Sequence, residues 1–260
     1  MKIYILADME GISGIRMPEQ VKEDSPKYEA GLDLMEQDIN VAIGAALEAG
    51  ATEVIACDTH GGGKQIRLGK MDARAVYESP SAGLLMPSLD ESFDGLVLLG
   101  HHARAGTLNA FLDHTMSSMS WFEFSINSQV VGEIGIEAAY AGHYNVPVIA
   151  VSGDEVTAAE ARELLGEIPC AVVKRGIGRN TARCLALPAA HQQIREAVME
   201  GVRRAKSCKP YKPSLPAVLQ LTYYRSDMAD NLAGRPGVKR VSARTLQFTI
   251  TSLKDVMAWL

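Results

Sequence analysis

Cysteine is scarce in this 260-residue chain: Cys57, Cys170, Cys184 and Cys208 are the only four, and no two have CxxC spacing. That excludes a zinc knuckle and a thioredoxin-like motif. So few thiols in a chain of this size also exclude a disulfide framework. Cys57 and Cys170 lie in apolar runs and read as buried small hydrophobes. No uncharged run approaches the ~20 residues that a membrane span needs. The opening stretch MKIYILADMEG has a short apolar run that ends in Asp8 and Glu10, so it does not read as a signal peptide. These absences point to the cytoplasm. An excess of positive charge is missing too. A net charge of −5 leaves no basic footprint for a nucleic-acid partner. The short cluster Arg203, Arg204 and Lys206 falls on a predicted helix and reads as a solvated face. No GxSxG nucleophile elbow occurs, so the His60-Gly61-Gly62-Gly63 stretch is not the oxyanion loop of an esterase. Gly11 and Gly14 do not complete a GxGxxG fingerprint, and no P-loop is present.

What is present is enough apolar material for a sizeable core, at 47% hydrophobic residues. Lys2–Ala7 reads as a short buried strand. Tyr28, Leu32, Met35, Ile39, Ala42, Ile43 and Ala46 recur at helical steps, and Gly50 stands where a helix terminates. Thr52–Cys57 is a second strand, so the opening is a β-α-β unit with parallel neighbours. Further strands are expected at Gly95–Gly100 and Pro147–Ser152, with a hairpin over Trp121–Val131 turning at Asn127-Ser128. Helices are expected at Glu133–His143 and from Asp154, as N-cap, through Leu165. Beyond residue 168 the composition shifts. Strands near Cys170–Lys174, Ala217–Thr222 and Thr245–Thr251 accompany one helix at about Pro188–Lys206. The predicted fold is α/β: a mainly parallel sheet flanked by helices over residues 1–168, with a smaller C-terminal α+β unit over 169–260.

The chemistry gathers at strand ends. The first strand runs into Asp8 and Glu10, the second into Asp58 and His60, the third into His101 and His102. Open α/β sheets bind ligands outside the carboxyl ends of their strands. Carboxylates and imidazoles converging there are the donor types that zinc prefers. Asp8 and Glu10 are two apart, so an extended backbone would aim both at one face, and one carboxylate could bridge two metals. His101 and His102 are adjacent and would face opposite ways on a strand, so at most one is expected to be a ligand. Asp58 is positioned to orient a ligand imidazole through its free N–H. Arg104 is a candidate to hold a carboxylate of the substrate or of the site.

The run Ala7-Asp8-Met9-Glu10-Gly11-Ile12-Ser13-Gly14 resembles the N-terminal signature of the M55 family of D-aminopeptidases, which are zinc peptidases. The resemblance continues at Asp58-Thr59-His60, Gly100 to Ala105, Asp113 to Met116 and Val131 to Gly135. It implies Asp8, Glu10, His60, His102 and Glu133 as ligands of two zinc ions, with His102 chosen over His101. It implies His114 as the catalytic histidine, acting as acid or base, with a nucleophilic role as the other possibility. It also implies release of N-terminal D-amino acids of the D-Ala type from short peptides. The implied assembly is a homo-oligomer, a decamer of stacked pentamers. The chain departs from the family at His101, where an aromatic is common, and over Gly106–Ala110. Residue spacing alone carries no preference for D over L substrates. Two rival readings stand beside this one: a metal-dependent amidohydrolase or phosphoesterase with the same ligands, and a metal-free binding protein whose acids and imidazoles serve turns.

Overall fold

The computed structural model describes residues 1–80 and 84–258. Residues 81–83, in the segment read as irregular, and 259–260, at the end of the C-terminal unit, lie outside the described residues. The chain opens with β1 (Lys2–Ala7), α1 (Tyr28–Glu48), β2 (Glu53–Asp58), β3 (Val76–Glu78) and β4 (Gly95–Leu99). A hairpin follows, β5 (Trp121–Ile126) and β6 (Gln129–Val131), then α2 (Glu133–His143), β7 (Val148–Asp154) and α3 (Glu155–Leu165). The remainder is β8 (Cys170–Gly178), β9 (Thr181–Cys184), α4 (Leu187–Arg204), β10 (Ala217–Tyr223), α5 (Ser226–Ala233), β11 (Lys239–Arg240) and β12 (Thr245–Ile250).

Two sheets form. The larger has the order β3-β2-β1-β4-β7-β8-β9, parallel throughout except for the β8–β9 edge. β1 through its neighbours is buried on both faces, which is why Ile3-Tyr4-Ile5-Leu6 is a continuous apolar run. The smaller sheet has the order β11-β12-β10-β5-β6 and is antiparallel. In β10 the buried residues Ala217, Leu219, Leu221 and Tyr223 alternate with half-buried ones, as expected of a sheet with one face to the core. One apolar cluster joins α1 and α4 to one face of the large sheet, through Ile5, Ile39, Val97 and Ile194. A second joins the other face, through Leu6 and Leu98, to α2 and the inner face of the small sheet, through Ile134, Phe124 and Leu219.

The expected α/β class with a mainly parallel sheet and flanking helices holds. The sheets, however, cross the boundary expected at 168/169. β8 pairs with β7 and β9 closes the large sheet, while the β5–β6 hairpin leaves the first half to pair with β10. The physical reason is register. Leu219 and Leu221 sit opposite Ile126 and Phe124, burying the apolar face of a hairpin that has no partner in the large sheet. Asn127 and Ser128 turn that hairpin with φ of 49° and 69°, the left-handed pair of a tight turn.

In the large sheet, β1 leads through α1 to β2 on one side, whereas β4 lies on its other side. The order reverses between β1 and β4, and a crevice opens there outside the strand ends. The two strand ends meet closely. The Gly11 N–H donates to the Gly100 carbonyl at 2.7 Å, and a Cβ on Gly11 would lie 2.1 Å from the His101 carbonyl oxygen. Gly100 takes φ of +71°, which a side chain there would resist.

Candidate metal centre

The crevice collects ligand-type side chains from three strand ends and one helix start. Asp8 and Glu10 follow β1, His60 follows β2, His102 follows β4, and Glu133 opens α2. The backbone after Ala7 turns rather than staying extended, with the Ile12 N–H donating to the Met9 carbonyl at 3.2 Å. Both carboxylates still reach the same point. His60 Nδ1 lies 3.3 Å from Asp8 Oδ1 and 3.0 Å from Glu10 Oε2. His102 Nε2 lies 3.3 Å from Asp8 Oδ2 and 3.3 Å from Glu133 Oε1. Asp8 therefore presents one oxygen to each histidine. His114 Nε2 is 3.6 Å from the same Glu133 oxygen, and its ring stacks on His102 at 3.9 Å between centroids. The atoms fall into two compact groups: Asp8, Glu10 and His60, and His102, His114 and Glu133. All five residues expected as ligands come together, and His114 joins them.

The three imidazoles share one arrangement. Each has one ring nitrogen against a backbone carbonyl: His60 Nε2 on Val21 at 3.0 Å, His102 Nδ1 on Ala103 at 3.0 Å, His114 Nδ1 on Leu112 at 2.9 Å. A carbonyl only accepts, so that nitrogen carries the proton. The other nitrogen then aims a lone pair at carboxylate oxygens. Such an array is satisfied by a proton on each imidazole or by a cation between the groups. Asp8 Oδ2 and His102 Nε2 are buried without a hydrogen-bond partner, so the need is local and unmet by the protein. The residues fit a metal.

The electrostatics follow from this packing. Burial opposes ionisation of Asp8, yet His102 and His60 hold its carboxyl well below the usual carboxylate range. Burial opposes charge on His60 and His102 as well. Glu10 and Asp8 nevertheless raise His60, and Glu133 and Asp8 raise His102, well above the ordinary imidazole value. Glu133 is lowered, against its burial, by His102 and His114. It also accepts the Met116 N–H at 2.7 Å.

Two expected supporting residues act differently. Asp58 does not touch the His60 ring. Its carboxylate accepts the backbone N–H groups of His60 at 2.9 Å and Gln65 at 2.7 Å, and so shapes the glycine-rich loop. The ring N–H of His60 goes to Val21 instead, because the loop after β1 lies nearer than the end of β2. Burial pushes the Asp58 carboxyl up to about 7. Arg104 turns away from the crevice. Its N–H donates to Glu160 at 2.9 Å and its guanidinium lies 3.9 Å from the same carboxylate, in a separate cavity with Glu163 and Gln129. Strict alternation from His102 would have aimed Arg104 at the crevice, but Glu160, which accepts its backbone N–H, draws it into the neighbouring cavity.

Sequence reasoning missed what three residues contribute. Lys174, on β8, is fully buried and donates to the carbonyls of Glu10 and Ile15, both at 2.7 Å. Burial pushes its amine down to about 8. It fixes the loop that carries Glu10. A lysine closing the apolar run Cys170–Val173 of β8 was the available signal. His101 packs away from the crevice, as an adjacent residue should. It meets Glu137 at 2.6 Å, and both side chains are fully buried. Glu137 is one helical turn beyond Glu133, so the pair ties the end of β4 to α2. The third contributor is Arg179, in the turn between β8 and β9, which lines the cavity over the site. That cavity has a volume of about 610 Å³. Its floor holds Asp8, Glu10, His60, His114 and Glu133, and Tyr224, just past the end of β10, adds to its wall.

Known proteins resemble this chain over nearly its whole length. A D-aminopeptidase of Bacillus subtilis strain 168 is 33% identical over 253 residues, covering 95% of this chain and 91% of that protein. The solved structure of the zinc-dependent D-aminopeptidase DppA from Bacillus subtilis, a self-compartmentalizing protease, matches with a TM-score of 0.95 at 31% identity. The match covers 99% of this chain and 94% of that one. The family model of the M55 peptidases, described as D-aminopeptidase, spans residues 1–260, and the chain belongs to that family.

Proposed function

We propose that this protein is a zinc-dependent aminopeptidase that releases N-terminal D-amino acids, of the D-alanine type, from short peptides. One observation carries the reading: three imidazoles each spend one nitrogen on a backbone carbonyl and aim the other at buried carboxylates. Histidines that bind metals are held in this way. Asp8, Glu10, His60, His102 and Glu133 would hold two zinc ions, with Asp8 shared because its two oxygens face the two groups. Bound zinc supplies a polarised peptide carbonyl and a water acidic enough to attack it at neutral pH. His114 acts as the acid and base. Leu112 fixes its Nδ1, and its Nε2 faces the cavity beside Glu133. It takes a proton at Nε2 as water attacks and returns it to the leaving amine. The preference for D-residues is proposed from the relatives, which are named D-aminopeptidases. The proposed setting is the cytoplasm, with the chain assembled as a homodecamer. A self-compartmentalizing relative supports the oligomer. Among the described residues no helix is long and apolar enough to cross a membrane.

The test is a zinc-loaded preparation assayed on D-Ala-D-Ala, L-Ala-L-Ala and p-nitrophenyl phosphate. The expected result is about two zincs per chain, hydrolysis of the D-dipeptide alone, loss of activity on chelation and recovery with zinc. His114→Ala should keep both zincs and lose roughly 10²–10⁴ in kcat. Loss of one zinc in that variant makes His114 a ligand instead. Protein that binds no zinc, or that cleaves only the phosphoester, overturns the proposal.

A further inference from the structure

An aminopeptidase that takes short peptides meets a charge problem. Its substrate is positive at one end and negative at the other. The floor of the cavity carries Asp8, Glu10 and Glu133, which suits the amine. A free C-terminal carboxylate must therefore find its partner on the walls. Two cationic side chains line them, Lys22 and Arg179. Arg104, the cation that the sequence suggested for this task, is committed to Glu160 in another cavity.

Arg179 is anchored at two points beside His114. Its carbonyl accepts the Leu112 N–H at 2.7 Å. Its Nε lies 3.4 Å from Asp113 Oδ1, while Asp113 Oδ2 accepts the Gly106 N–H at 2.6 Å. The half-exposed guanidinium is thus drawn by one ion pair to Asp113, the residue next to the proposed acid and base. Its Nη atoms have no partner among the described residues. A guanidinium held this way offers two parallel donors with the spacing of a carboxylate. In a dipeptide the carboxylate lies only one residue beyond the scissile bond, about 3.8 Å from Cα to Cα.

We propose that Arg179 binds the C-terminal carboxylate of the substrate, with Lys22 adding positive potential, and so selects di- and tripeptides with free carboxyl ends. The inference rests on the aminopeptidase reading above. Arg179 sets specificity and takes no part in proton transfer.

The experiment compares D-Ala-D-Ala with its C-terminal amide on the zinc-loaded enzyme. Wild type should favour the acid by about 10- to 100-fold in kcat/KM, the range of a charge-assisted hydrogen-bonded pair. Arg179→Met should bring the acid-to-amide ratio close to one, chiefly through a raised KM for the acid. Arg179→Lys should recover part of the preference, since it keeps the charge and loses the fork. Zinc content and circular dichroism check that the variants are folded and loaded. Equal rates on acid and amide in wild type overturn the inference while leaving the peptidase reading intact. So does an unchanged ratio in Arg179→Met. Hydrolysis of neither compound overturns the peptidase reading, and the inference falls with it.

Discussion

Replacing Gly11 with alanine probes the joint on which the site is built. The added Cβ would stand 2.1 Å from the His101 oxygen, 2.5 Å from the Gly100 carbonyl carbon and 2.6 Å from the Gly100 oxygen. All three are backbone atoms, so no side chain can swing aside. A carbon–oxygen contact needs about 3.3 Å, so the β1 and β4 ends must separate by roughly 1 Å. That movement strains the packing and stretches the Gly11–Gly100 hydrogen bond. The two costs together are about 2–4 kcal/mol. The same movement carries Asp8 away from His102, now 3.3 Å apart. A displacement of about 1 Å in such a site costs on the order of 100-fold in rate. Urea unfolding with chelator present measures the packing cost without metal, read from the midpoint at constant slope. A zinc competition titration and D-Ala-D-Ala turnover measure the rest. An unchanged midpoint together with unchanged zinc affinity would refute the reasoning, because the strand ends would then be able to part freely.

Lys174→Met removes the donor shared by the Glu10 and Ile15 carbonyls. Unfolding should become easier by about 2–4 kcal/mol, with weakened zinc retention; an unshifted denaturation curve would mean that water replaces the amine. Glu137→Leu leaves the fully buried His101 without its partner, a loss of about 3–5 kcal/mol. The double variant His101→Phe/Glu137→Leu should recover most of that loss in a denaturation cycle, and strict additivity of the two single changes would contradict the pairing.

The large sheet was legible because its strands are buried on both faces and read as apolar runs. The run Ile3–Ala7 and the segment from Val148 are examples. Those strands also placed Asp8, His60 and His102 at one edge before any geometry was known. Glu133 was not legible in this way. It opens a helix, and it reaches the site only because α2 is tied to the segment after β4 through Glu137 and His101, a tertiary fact. The short strands Val76–Glu78 and Thr181–Cys184 carry too few apolar residues to announce themselves and are held by their neighbours. The hairpin Trp121–Val131 was readable as a hairpin, but its partner β10 begins 86 residues after β6 ends, at Ala217. Nothing local in either segment names the other. Arg104 and Asp58 show the converse limit. Their chemistry was legible, while their direction depended on which buried carboxylate or N–H lay nearest.

The ammonium of Lys174 closes the Glu10 loop across 164 residues of sequence. During synthesis the loop emerges first and its clasp emerges long afterwards. Asp8, Glu10 and His60 are all exported within the first quarter of the chain, yet they lack their mates His102 and Glu133 and the clasp itself. A nascent chain therefore presents only scattered donors, each a weak trap for stray cations. The crevice is complete only once the large sheet has closed through β8. The site is in this way a late product of the chain's own synthesis.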